Sequence, residues 1–343
     1  MKLKKQFDDF YEKIRIHEES ENLKKKRETL ESDIKDHFPS EIEKIGVSIN
    51  KGDIEIFDQG SYHYHTTINT QPYDRDVAVA IPLDIDEYDD PRQIKKAMRD
   101  SLNKVAARTV TIKEPCVNVA YYENDEEWMH IDLPIYAKTN NQYYLARGRE
   151  NSENYSWEIA DPHGLNDDLE GRLQGNDQLR RIVRLVKKWR DIQYENSTRD
   201  HEIPPSIGLT YLVCDTYVET LEGGNHSDLD ELYTVFSGIK GKFSLKYYGD
   251  DLTKAEISRN LPVEPYTDIF KRMKDRSDEY GVKFYRRVST ALDNISDALN
   301  ADDDHSASVY VRRIFGDEFE LVPKDPGSGS AYSRREHSFG GLS

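Results

Sequence analysis

Residues 59–81 read QGSYHYHTTINTQPYDRDVAVAI. Asp74 and Asp76 open a segment whose continuation, Val77 to Ile81, is wholly apolar and reads as a buried strand. Side chains alternate along a strand, so both acids face the same way. Two like charges side by side repel unless something neutralises them, and a divalent cation is the usual partner. Just upstream, Gly60 lets the backbone approach a ligand closely, and Ser61 adds a hydroxyl and an N–H that can be offered to phosphate.

Further along, residues 129–136 read MHIDLPIY. Alternation places His130, Asp132 and Pro134 on one face and Ile131, Leu133 and Ile135 on the other. A third carboxylate thus stands on the polar face of a second apolar strand. Three acids on adjacent strands behind a Gly-Ser turn describe a phosphoryl-transfer site. Asp74, Asp76 and Asp132 are the expected catalytic residues and metal ligands, holding two Mg²⁺ ions about 3.5–4 Å apart, with Mn²⁺ able to substitute. The loop has neither P-loop nor dinucleotide-fingerprint spacing.

Length and composition bound the rest. The chain has 343 residues, enough for two domains, and a net charge of −17. Such a balance argues against non-specific duplex binding, so an anionic ligand must meet a local basic patch. Two cysteines, Cys116 and Cys214, can build neither a disulfide framework nor a Cys-rich zinc site. The N-terminus starts basic without an apolar stretch to follow, so no signal peptide is expected. No apolar run approaches membrane-spanning length, and a cytoplasmic location is expected.

The spacing predicts two helices within residues 4–37, the second ending near Phe38-Pro39, then β structure over 46–57 and a strand over 74–83. A helix over 91–107 precedes strands at 117–122 and 129–136. Beyond residue 160 the chain is mostly helical, with helices expected at 179–190, 206–222, 265–280 and 282–300. In the first of these, Leu179, Ile182, Val183, Val186 and Trp189 make a buried stripe. Arg180, Arg184 and Lys187 form a basic ridge beside it, and Arg190 stands off that ridge. The segment from Lys324 has linker composition.

These residues resemble the nucleotidyltransferases of the DNA polymerase β superfamily, and within it the bacterial cGAS/DncV-like enzymes. The likeness runs in order over roughly residues 1–325, through FDQGSYHYHTTIN, MHIDLPIYA, WEIADPHGL, RLVKKWRDIQ, IPPSIGLTYL, LPVEPYTDIFKRM and RRIFGDEF. It implies an α+β, two-lobed polymerase β-like fold: a mixed-sheet catalytic lobe with the N-terminal helices (1–165), a helical nucleotide-binding lobe (166–325) and a flexible tail (326–343). It implies an enzyme that joins nucleoside triphosphates, ATP and GTP foremost, into a cyclic di- or trinucleotide with release of pyrophosphate. Cyclic GMP-AMP is the leading product, used as a second messenger in bacterial anti-phage (CBASS) signalling. By position, Gln59, Gly60, Ser61, Tyr62 and Tyr64 match the nucleotide-contacting loop. Lys187 and Ser206 match residues that contact the triphosphate, Asn118 stands at a base-contacting position, and Asp268 falls near a base-contacting acid. Arg75, between the two acids, replaces a residue that is often apolar. Its side chain should point to the opposite face and affect packing more than metal binding.

Other readings are weaker. His63 and His65 alternate like a metal pair without a third ligand, and Asp302 to His305 suits a solvated turn better than a cation loop. A DNA activator is not expected, since there is neither a basic surface nor a Cys/His cluster. A transferase acting on RNA or a small molecule, or a non-catalytic nucleotide-binding scaffold, remains an alternative. The former should carry a broader basic surface, and the latter usually loses one of the three acids. In related systems an E1/E2-like partner acts on the cyclase C-terminus, which the Gly327 to Ser330 tether would suit.

Overall fold

A computed structural model describes residues 2–16, 21–70, 72–105, 108–199 and 201–324. Its centre is a mixed sheet of eight strands. These are β1 (Glu55–Gln59), β2 (Tyr73–Pro82), β3 (Thr109–Ile112), β4 (Val117–Glu123), β5 (Glu126–Leu133), β6 (Ile135–Thr139), β7 (Gln142–Arg147) and β8 (Ser156–Ala160). The order is β3-β4-β5-β2-β6-β7-β8, with β1 antiparallel on β2. β2 runs parallel to both β5 and β6, pairing with the first through Tyr73–Asp76 and with the second through Val79–Pro82. The single strand expected over 129–136 is therefore two. Pro134 interrupts it because it has no N–H to donate, yet its carbonyl still accepts from the Val79 N–H at 3.0 Å.

The helices are α1 (Lys4–Ile14), α2 (Glu21–Ile42), α3 (Gly60–His63), α4 (Pro91–Leu102), α5 (Pro162–Leu173), α6 (Asp177–Gln193), α7 (Ser206–Thr216), α8 (Asp228–Gly241), α9 (Lys271–Lys274), α10 (Asp278–Asn300) and α11 (Asp304–Phe315). Among the described residues two large hydrophobic cores result, beside a small cluster of Ala78, Ala80, Tyr136 and Tyr143. One packs α2 and α4 against the sheet through Ile34, Phe38, Ile94 and Met98 with Val77, Val79 and Ile131. The other joins the helices from α5 onward, with Trp189, Phe236 and Phe284 fully buried. Phe7 and Phe10 of α1 belong to this second core, with their rings 5.1 Å from those of Phe319 and Phe315 respectively. The two N-terminal helices thus divide between the lobes.

Several element boundaries differ from expectation. α2 continues through Pro39 to Ile42, because Phe38, Glu41 and Ile42 are all buried on its packed face and that burial outweighs the lost hydrogen bond. The helix from Pro91 ends at Leu102, and β structure starts at Glu55. α7 stops at Thr216, and the chain then turns through a hairpin, β9 (Leu221–Glu222) and β10 (Asn225–His226), around Gly223 and Gly224. Of residues 265–280 only α9 and the start of α10 are helical, and a second hairpin, β11 (Ser244–Tyr248) with β12 (Asp251–Glu256), lies upstream. α10 runs unbroken through Gly281. There a Cβ would collide with the Ala255 backbone, so the glycine serves close packing instead of ending the helix.

Among the described residues no helix is long and apolar enough to cross a membrane. The tail expected to act as a tether lies outside the described residues from 325 onward.

Candidate active site

The parallel register of β2 and β5 sets Asp74 opposite His130 and Asp76 opposite Asp132. The three acids therefore gather at one end of the central strands, as alternation along each strand requires. Asp76 carries the strain of this arrangement. Burial, with Asp74 and Asp132 close by, pushes its carboxyl up to about 8. A cation among these oxygens would relieve that repulsion. The residues fit the expected metal site.

Each acid has its own neighbours. Asp74 Oδ1 lies 3.2 Å from His130 Nε2, and Nδ1 of that ring lies 2.8 Å from Glu127 Oε1. The Asp74 carboxylate beside the imidazole holds its pKa above the usual histidine value. Asp132 Oδ1 accepts from Asn118 Nδ2 at 2.7 Å and from Lys113 Nζ at 3.3 Å. Asn118 is buried on β4, directly across from Asp132 in the ladder. Its amide is thus engaged with the Asp132 carboxylate, at the position where a base contact is expected.

A cavity of about 290 Å³ opens between the lobes over Asp74 and Asp76. Gln59, Gly60, Ser61 and Tyr64 line it from the sheet lobe together with Asp74 and Asp76, and Lys187 and Ser206 line it from α6 and α7. Gly60 has φ +69°, and its missing side chain makes room for the Asp76 carboxylate. Ser61 Oγ sits 3.2 Å from Thr67 Oγ1, and the Tyr64 hydroxyl donates to Asn166 Oδ1 at 2.6 Å. Gln59 Oε1 accepts from the Tyr136 hydroxyl at 3.4 Å. Lys187 is almost wholly buried, and Nζ donates to Thr66 O at 3.2 Å and Thr66 Oγ1 at 3.1 Å. Burial first, then Arg190 and Arg184, brings its pKa down to about 7.

The basic ridge divides. Arg184 turns away from the cavity to the Tyr11 hydroxyl and the His65 and Thr67 carbonyls, and Arg180 pairs with Asp177 at 3.0 Å. Arg190, which stands off the ridge in sequence, instead donates to Ser206 Oγ and pairs with Asp191. Four other expected residues lie off the cavity lining. Tyr62 stacks under Arg75, whose guanidinium carbon is 4.1 Å from the ring centroid and which also binds Asp58 at 3.1 Å. Asp268 accepts from the Arg259 and Phe270 N–H groups, each at 3.1 Å, and pairs with Lys274. Asp132 and Asn118 stand beside the acids of β2 without lining the cavity itself. Sequence reasoning missed Lys113, Thr66 and Arg190. None has a local signal, because each meets its partner through a loop, another lobe or a neighbouring helix. The shared face of His130 and Asp132 was the one available hint for His130.

Residues 54–136 match the family model described as the nucleotidyltransferase domain of cyclic GMP-AMP synthase DncV-like proteins. The chain carries a DncV-like nucleotidyltransferase domain. That domain holds all three acids, the Gly-Ser turn and the β2–β5 register. The fold is shared over nearly the whole length. Vibrio cholerae DncV cyclic AMP-GMP synthase, in complex with the linear intermediate 5′ pppA(3′,5′)pG, superposes with a TM-score of 0.66 at 16% identity, covering 93% of this chain and 99% of that one. CdnC of E. coli MS115-1, in a complex with HORMA-deltaN, gives 0.64 at 15% identity over 92% and 98%. The DncV-like domain thus sits in a polymerase β-like α+β fold. No curated protein sequence matches the chain.

Proposed function

We propose that this protein is a cyclic oligonucleotide synthase, which joins nucleoside triphosphates into a second messenger, with cyclic GMP-AMP as the leading product and anti-phage signalling as its setting. The observation that carries the reading is the meeting of Asp74 and Asp76 with Lys187 and Ser206 in one cavity between the lobes. The DncV-like domain and the fold shared with a synthase bound to pppA(3′,5′)pG support it.

In this reading Asp74, Asp76 and Asp132 hold divalent cations, Mg²⁺ or Mn²⁺. Bound there, the cations neutralise triphosphate charge and lower the pKa of the attacking hydroxyl. The protein's own groups position the reactants. Gly60 brings the turn backbone close to the phosphates, and Ser61 and Ser206 offer hydroxyls. Lys187, its ammonium steered by Thr66, meets the phosphate tail with a charge-assisted hydrogen bond. Asn118 and Lys113 hold Asp132 in place. A ribose hydroxyl oxygen of one nucleotide bonds to the α-phosphorus of the next as the bond to the bridging oxygen breaks, and pyrophosphate leaves. A second such step closes the ring. The sheet lobe thus carries the acids and the Gly60-Ser61 turn, and the helical lobe carries Lys187 and Ser206, a division at about residue 165 with α1 joined to the helical lobe. CdnC is in complex with HORMA-deltaN, and a regulatory protein partner belongs to the same reading here.

The test is incubation of the purified protein with labelled ATP, GTP, CTP and UTP and Mg²⁺, singly and mixed, followed by phosphatase and mass spectrometry. A phosphatase-resistant cyclic product is expected, with adenine and guanine both incorporated. A linear extension product, or none with either Mg²⁺ or Mn²⁺, would overturn the synthase reading.

A further inference from the structure

His130 stands among the acids in a way that a third carboxylate site does not need. Its Nε2 is 3.2 Å from Asp74 Oδ1. One donor atom each from Asp74, His130 and Asp132 lie within 4.8 Å of one another. Ligands bound at about 2.0–2.2 Å from one ion lie at most about 4.4 Å apart, so these atoms need shift by only a few tenths of an ångström to share one cation. The other ring nitrogen, Nδ1, lies 2.8 Å from Glu127 Oε1. A carboxylate in that place keeps a proton on Nδ1, aims the Nε2 lone pair at the acids and strengthens it as a donor. Both partners come from the same local geometry: Glu127 and His130 lie on β5, and the parallel register puts His130 beside Asp74.

We propose that His130 is a direct ligand of a cation held with Asp74 and Asp132, oriented by Glu127, and that this nitrogen makes the site prefer Mn²⁺ to Mg²⁺. Oxygen-only sites suit Mg²⁺, whereas imidazole favours the transition ions. The proposal rests on the catalytic reading of the three acids and adds a ligand and a metal preference to it. In the rival arrangement a doubly protonated ring hydrogen-bonds Asp74 and Glu127 and puts no nitrogen on the cation.

The test uses the full chain with Mn²⁺ and α,β-methylene-ATP, read by electron spin-echo envelope modulation of the bound ion. Labelling histidine with ¹⁵N separates protein nitrogen from that of the nucleotide. The expected result is a directly coordinated histidine nitrogen in the wild type that disappears in His130→Gln. Mn²⁺ affinity should fall about tenfold or more in both His130→Gln and Glu127→Gln, with Mg²⁺ affinity of His130→Gln little changed. Bound Mn²⁺ without a histidine nitrogen in the wild type, or a nitrogen signal that survives in His130→Gln, would overturn the proposal and leave the three-acid site standing. Absence of any bound Mn²⁺ would remove both. The labelled wild type decides the main question, so a poorly folded variant does not rescue the idea.

Discussion

Gly60 and Asp76 compete for the same space. A Cβ built on Gly60 would lie 2.9 Å from Asp76 Cγ, and the Gly60 backbone has φ +69°, a region that other residues enter at a cost of about 1–2 kcal/mol. The turn and the acid are therefore one unit. Gly60→Ala is expected to displace the Asp76 carboxylate and lower kcat/KM about 100-fold, since small misplacements of reacting groups are that costly. The melting temperature should fall by only a few degrees. Pyrophosphate release and thermal unfolding check the pair, and wild-type turnover would show that the contact is unimportant.

Asp76→Asn separates catalysis from stability. Turnover is expected below about a tenth of wild type, because a ligand that neutralises the reacting centre is lost. The folded-state pKa of Asp76 is raised, to about 8, so its ionisation opposes folding. Above the unfolded value of 3.8 the unfolded chain binds fewer protons, and stability is lost as pH rises from there towards 8. Metal-free Asp76→Asn should thus melt above wild type at alkaline pH, with the gap closing towards pH 4. Divalent cations should narrow it from the other side by stabilising the wild type more than the variant.

Lys187→Ala should raise the apparent Kd for α,β-methylene-ATP about 10- to 100-fold, the worth of a charge-assisted contact of about 1.5–3 kcal/mol. The Lys187 pKa is brought down to about 7, so its charge is present below that pH and lost above it. The part of binding that depends on it should weaken as pH rises through neutrality and vanish from the profile of Lys187→Met. Arg190→Ala should also weaken binding, because Arg190 orients Ser206, whereas Arg180→Ala should not. Titration calorimetry from acid to alkaline pH distinguishes the three.

Asn118→Ala tests whether this residue selects a base or holds a carboxylate. Its 2.7 Å bond to Asp132 Oδ1 favours the second role. We expect kcat to fall about tenfold, in keeping with the loss of a group that orients a metal ligand, with the nucleotide composition of the product unchanged. A changed ratio of adenine to guanine in the product would return Asn118 to base recognition.

How much of this was legible in the chain itself follows from the range of the forces involved. Alternation along a strand is a property of the backbone, so Asp74, Asp76 and Asp132 could be placed on their faces from residues 59–81 and 129–136 alone. The Gly60-Ser61 turn and the buried stripe of α6 are equally local, the one a matter of φ and the other of helical period. Where burial competes with local preference, local reading failed, as with Pro39 inside α2 and Gly281 inside α10. Only the tertiary structure decided which side of α6 lines the cavity. Lys187, Arg184 and Arg190 share one helix, and what separates their roles is the loop at residues 65–67, the hydroxyl of Tyr11 and the approach of Ser206 from α7. The same holds for His130 beside Asp74 and Asn118 beside Asp132. Those contacts depend on which strands lie next to one another and in what register, and that is set by packing between segments far apart in the chain.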